Sequence, residues 1–442
     1  MPTRRPAFIL ACLLFVSGFN VCRGDKDGKS NDAGTTTPQT SKSETKRATS
    51  AARAKQSFKK IVSQNFPSWD QNRDGRLSAD EIDRLIADPS IHGLEAAAIA
   101  AIHRYVRSDG APQSVTLEDL LTEAEQQAVV PESAGQEAFR TDLSDEKPRY
   151  VSHYTRFASH LKKAPRDLFT DASGPTLEGI KQGSIGDCFF MCVIGATVSR
   201  DARSVRKMLR ANPDGTTDVK FPGARLVRVP PLTDGEIALT SSAADQGIWV
   251  NVLEKAFGEL RYAKPTTHHT PDDIDLDVIS RGGIIGSTIQ LMTGHKPFFI
   301  AIRQNDKNKK RQPPTKAEIP HVMARLDSAF SKAFAANRLV CCDIAPGIKG
   351  KDIPPGLCGH HAYAILGYDR TSRTVTVWNP HGKDYTPKAS PPNPQNGYPV
   401  KGGVFEVPLN EFVRIFNSVT YETSAPRSQR GSSRAGVAHS RP

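Results

Sequence analysis

At 442 residues the chain can bury a large core, and its length allows about two to three domains. A hydrophobic content of 38% fits a globular body, and a net charge of +12 raises the question of nucleic acid. Much of that charge lies in the chain ends and in one loop, DKNKKRQPPTK from Asp306 to Lys316, and no basic face interleaved with aromatics is visible, so no nucleic-acid partner is expected.

The opening residues combine Arg4 and Arg5 with an apolar run from Ala7 to about Val16 and small residues at Cys22 and Gly24. This is the pattern of a secretory signal peptide, assigned to residues 1–24, so the protein is expected to be exported, with no stable membrane span after its removal. Residues 25–56 are rich in Ser, Thr and Lys without apolar periodicity and read as a disordered linker, as does the basic tail 424–442. Between them lie a small helical module, residues 57–128, and a large mixed body, residues 165–423.

The module contains DQNRDGRLSADE, Asp70 to Glu81, which fits a calcium-binding EF-hand loop position by position. Asp70, Asn72 and Asp74 place side-chain oxygens at alternate positions, and Gly75 allows the sharp turn. Arg76 offers its backbone carbonyl, Ser78 follows, and Glu81 closes the site with a bidentate carboxylate. A second loop aligned from Ser108 has Gly110 and Pro112 where carboxylates belong, so it is expected to be a structural partner joined through Leu77 and Val115. The polar stretch TEAEQQAVVPESAGQEAF after the module suggests a separable domain.

In the large body, QGSIGDCFF, Gln182 to Phe190, runs straight into the apolar MCVIGATV. A helix apolar on every side must be buried, so only its first turn can reach solvent, and Cys188 sits there. Unpaired amides and the macrodipole at a helix N-terminus favour thiolate, with Asp187 expected to cap those amides. Of the seven cysteines (Cys12, Cys22, Cys188, Cys192, Cys341, Cys342 and Cys358), none forms a zinc-type pair, and Cys192, one turn further on, reads as core.

A thiol nucleophile needs a base, an orienter for that base and donors for the oxyanion. From Gly359, GHHAYAILGYDRTSRTVTVWNPHG alternates as two strands around a polar turn, and this hairpin brings His361 beside Asn379. Asn379 can fix the imidazole tautomer, leaving the other ring nitrogen for the thiol proton. Gln182 can offer its side-chain N–H to an oxyanion beside the backbone N–H of Cys188.

At these residues the chain resembles the calpain family of papain-like cysteine peptidases. QGSIGDCFF, GHHAYAILGYD, WNPHG, GIWVNVLEKAFGEL, the Gly282-Gly283 pair and LVCCDI occur in family order. The resemblance implies an α+β, two-lobed papain-like core preceded here by the helical EF-hand module, with Cys188 as nucleophile, His361 as base, Asn379 as orienter and Gln182 as oxyanion donor. It further implies an endopeptidase acting on proteins or peptides through a thioester, with Ca2+ as cofactor. Two residues depart from the family pattern, Phe189 and His381, each standing where a tryptophan is usual. A catalytically weak calcium-binding scaffold and a transglutaminase-type acyl transferase are the alternatives; the complete Cys, His, Asn and Gln set weighs against the first, and Asn379 in place of Asp against the second.

Overall fold

The computed structural model describes residues 40–108, 111–126, 150–172, 174–263, 275–306, 311–346, 348, 353–387 and 389–423. The signal segment 1–24, with Cys12 and Cys22, and the tail 424–442 lie outside these residues. The chain divides into residues 1–46, of which only the start of a helix is described, and a unit from Arg47 to Pro442.

Helix α1, Thr40–Trp69, begins inside the stretch read as a linker, so residues 40–56 are helical instead. Ala51, Ala52 and Ala54 with Lys, Arg and Gln between them are strong helix formers, and Ala54 already packs on the core. Strand β1, Arg76–Ser78, leads to α2, Ala79–Ile86, then α3, Gly93–Val106, β2, Ser114–Thr116, and α4, Leu117–Gln126. Strands β1 and β2 pair antiparallel with Leu77 opposite Val115, as the loop alignment requires.

Helix α5, Tyr150–Lys163, and β3, Ile180–Lys181, precede α6, Cys188–Lys207. A small sheet of β4, Leu209–Ala211, β5, Thr217–Lys220, and β6, Leu226–Val229, follows, with α7, Asp234–Leu239, and β7, Ser242–Ala243, which pairs with β3. Three helices come next: α8, Trp249–Tyr262, α9, Asp275–Ser280, and α10, Ile285–Thr293. The remaining elements are β8, Pro297–Ala301, the pair β9, Gln304–Asn305, and β10, Arg311–Gln312, then α11, Ile319–Ala335, β11, Val340–Ile344, β12, His361–Asp369, β13, Thr374–Trp378, β14, Val404–Pro408, α12, Leu409–Ile415, and β15, Ser418–Glu422.

Six strands form one antiparallel sheet in the order β14-β13-β12-β11-β15-β8. Alternation along β12 decides what each face meets. Ala362 and Ala364 turn toward a core shared with α6, while Tyr363 and Ile365 turn toward a second core with α11 and α12. The sheet is therefore covered on both faces, and the two hydrophobic clusters meet across it.

Helix α6 lies against its face closely enough to require glycine: a Cβ on Gly195 would come within 2.2 Å of the Trp378 ring. The N-terminal helices belong to the same core as α6, since Phe58, Val62, Ile99 and Ile102 join Phe190, Val193 and Trp249 in one buried cluster. The helical segment expected to be separable is thus packed onto the large body. Among the described residues no helix is long and apolar enough to cross a membrane.

Gly195→Val should destabilise the protein by about 2 kcal/mol or more, because neither the helix nor the buried indole can move aside, and urea titration would read this as a lower midpoint.

Candidate active site

The turn before α6 sets the position of Cys188. Gln182 N donates to Pro380 O at 2.8 Å and Ser184 N to Leu239 O at 2.8 Å, so the 182–187 loop is sewn to the end of the hairpin on one side and to α7 on the other. The following helix buries Phe189 through Val198 without interruption, as its composition demands, and Cys192 is fully buried within it. Cys188 keeps partial exposure at its first turn and lines a cleft with Gln182, Gly283, His361 and His381.

On the opposite wall His361 opens β12, and its Nε2 stands 2.9 Å from Asn379 Oδ1. The same Oδ1 accepts from the His381 amide at 3.0 Å, which fixes the Asn379 side chain as acceptor. His361 therefore carries its proton on Nε2 and presents the Nδ1 lone pair. His360, exposed and at φ 49°, makes no such contact. His381, at the position where the family pattern has tryptophan, stacks on the His361 ring with centroids 4.3 Å apart and planes at 24°. The other departure, Phe189, presses on Gly283, where a Cβ would approach its ring to 2.3 Å.

The electrostatics describe a neutral resting pair. Burial pushes the Cys188 thiol up to about 12, an effect that the amide of Ala362 opposes and the charge of Asp187 adds to. The expected lowering by the helix terminus is thus outweighed by desolvation. Burial likewise takes His361 down to about 4 against the opposing bond to Asn379.

Asp187 corrects a second expectation, because its side chain makes no cap bond at α6. The carboxyl turns inward, fully buried, where Oδ1 accepts from Gln182 Nε2 at 3.1 Å. Burial raises its pKa and that of the neighbouring Glu254, where the charge of Asp187 adds to the effect. Glu254 accepts from Ser241 N at 2.9 Å and from Ser241 Oγ at 2.8 Å. Two such carboxyls in one dry site share a proton, with Glu254 donating to Asp187. Gln182 Nε2 also donates to Ile185 O at 2.9 Å, so in this conformation both its N–H groups serve the loop, and the amide must turn to serve an oxyanion.

The Asp70–Glu81 loop adopts the turn its sequence implies, with positive φ at Arg73 and Gly75. Asp70 accepts from Asp74 N at 3.2 Å and Gly75 N at 2.8 Å, and Asp74 accepts from Arg76 N at 2.8 Å. Glu81 closes the loop on itself, taking Gln71 N at 3.0 Å and Ser78 N at 2.9 Å. Every candidate ligand, from Asp70, Asn72 and Asp74 through Arg76 and Ser78 to Glu81, is a hard oxygen donor, a set suited to calcium.

A buried cluster was not foreseen. Asp83, His103 and Asp277 converge within metal-ligand spacing, but Arg107 bridges both carboxylates, so a guanidinium already supplies the positive charge. Glu254 was also missed, although a lone carboxylate in the apolar run WVNVLEKAF is the kind of signal that points to one.

The family model described as calpain family cysteine protease matches residues 133–393 of the chain. No curated protein matches it. The strands and helix from Val404 to Glu422, beyond the matched residues, complete the same sheet and its cover.

Two measurements test this description. In EDTA, alkylation of Cys188 by iodoacetamide should be slow at pH 7 and climb steadily through pH 10, since a raised thiol pKa leaves little thiolate at neutrality; a plateau reached near neutral pH would mean that a thiolate–imidazolium pair already exists. Asp187→Asn, which can donate to Glu254 and accept from Gln182, should keep the fold, whereas Asp187→Leu should cost about 3 kcal/mol or more in denaturant titration.

Proposed function

Because this chain belongs to the calpain family of cysteine proteases, we propose that it is a calcium-binding, calcium-dependent cysteine endopeptidase that hydrolyses protein substrates through a thioester. The observation that carries the reading is the 2.9 Å bond from His361 to Asn379 opposite Cys188 in a single cleft. In this scheme His361 Nδ1 takes the thiol proton as sulfur attacks the scissile carbonyl, and the amine leaves with that proton. Water then attacks the thioester with the same imidazole as base, which returns the free thiol. Asn379 orients the imidazole throughout, and His381 stacks on its ring.

The oxyanion forms beside the Cys188 amide, with Gln182 as second donor once its side chain has turned from Asp187. The neutral resting pair and the occupied Gln182 amide support a resting state that must be activated. Asp70, Asn72, Asp74, the Arg76 carbonyl, Ser78 and Glu81 would hold Ca2+, whose charge would replace the backbone amides now satisfying Glu81 and draw α2 onto the loop.

Cys188→Ala and His361→Ala should abolish cleavage of a casein-type substrate with the fold retained, while His360→Ala should cost far less. Comparable hydrolysis by Cys188→Ala would overturn the assignment. Glu81→Gln should weaken calcium binding measured by titration calorimetry, since the bidentate ligand is lost.

A further inference from the structure

The nucleophile's loop is held not only by the peptidase body but by the N-terminal helices. Ser184 O accepts from Arg104 Nη1 of α3 at 2.8 Å, and Ser184 Oγ from Arg156 Nη2 of α5 at 2.5 Å. Packing leaves the loop a narrow path: a Cβ on Gly183 would come within 2.2 Å of Thr240 O, and one on Gly186 within 2.7 Å of Ser280 O. The loop therefore runs in a slot between the C-terminal ends of α7 and α9, with Arg104 fastening the carbonyl midway along it.

Both walls of that slot are tied to the same N-terminal helices. On α7, Thr233 Oγ1 donates to Ile86 O at 2.6 Å, and Asp234 Oδ2 accepts from Gly93 N at 2.7 Å. On α9, Asp277 Oδ2 lies 3.4 Å from Arg107 Nε at the end of α3, which donates to Asp83 Oδ1 of α2 at 3.3 Å, and the His103 ring packs between the two carboxylates. These groups are buried, at 5% exposure for His103, 0% for Asp83 and 4% for Asp277. Buried charged contacts hold one geometry in a way that exposed pairs do not, because neither partner can be re-solvated without cost.

We propose that Arg104 is a positioning residue for the Cys188 loop, and that the helices from α1 to α3 are for this reason part of the working peptidase instead of a detachable domain. Without the Nη1 donor the Ser184 carbonyl loses that hold, and the three residues between Ser184 and Cys188 carry any shift to the Cys188 amide and sulfur. The inference rests on the proposed peptidase function only where turnover is the readout, and the reactivity of the thiol provides a second readout independent of it.

The test uses the full chain with Arg104→Met, which keeps the apolar stem, Arg104→Gln, which is polar but too short to reach Ser184, and Arg104→Lys. Met and Gln variants that melt as the parent does should lose about tenfold or more in kcat, with KM within about twofold, because misplacing a reacting group by a fraction of an ångström acts on the chemical step. Their Cys188 alkylation rate should depart several-fold from the parent's, and Lys should restore part of both. A role in stability alone would lower the melting temperature and leave alkylation and kcat of the folded protein unchanged, which would overturn the proposal. Should the parent hydrolyse no peptide while alkylation still responds to Arg104, the peptidase reading would fail and the positioning role would stand.

Discussion

The close approach of α6 to the sheet at Gly195 and Trp378 is the contact on which the rest of the site depends. A helix apolar on all sides has to be enclosed, and the face of β12 and β13 is what encloses it. Once that packing is set, the helix N-terminus can point only toward the start of β12, where His361 stands. The placing of thiol and imidazole in one cleft is thus a consequence of burying ten consecutive residues, Phe189 to Val198.

Burial has an electrostatic price that the site uses. The same enclosure that aims Cys188 raises its pKa and lowers that of His361, so the pair rests uncharged. Asp187 and Glu254, desolvated together behind the loop, keep one proton between them and hold the Gln182 amide. Each of these arrangements favours a neutral ground state. Gln182, Asp187 and the turn that sets Cys188 share one stretch of backbone, so a shift of that loop would move all three.

The N-terminal helices reach that backbone from outside the family-matched residues. Asp83 lies two residues beyond Glu81 on α2, and through Arg107 it meets Asp277 on the wall of the slot that holds the loop. The Glu81 carboxylate that closes the loop and the Asp83 carboxylate buried at the module's contact with the core therefore belong to a single short helix. This gives a contiguous physical route between loop and nucleophile, made of buried ion pairs and packed helix ends.

Much of this was legible in the residues themselves. The period-two alternation of the hairpin and its polar turn put His361 with Asn379, and the unbroken apolar run after Cys188 declared a buried helix, because both signals are local and repeat with the geometry of the backbone. The β1–β2 pairing followed from aligning two loops of one pattern. What sequence could not supply came from contacts between residues far apart in the chain. Asp187 reads as a helix cap until Glu254 is found beside it, no local pattern marks Ser184 as the partner of Arg104, and residues 40–56 read as linker until α1 has a core to pack against. Local order is written in spacing, but the pKa of a buried thiol, the partner of a carboxyl and the attachment of one set of helices to another depend on what folding brings alongside and which groups it removes from water. Those were decided by the tertiary structure alone.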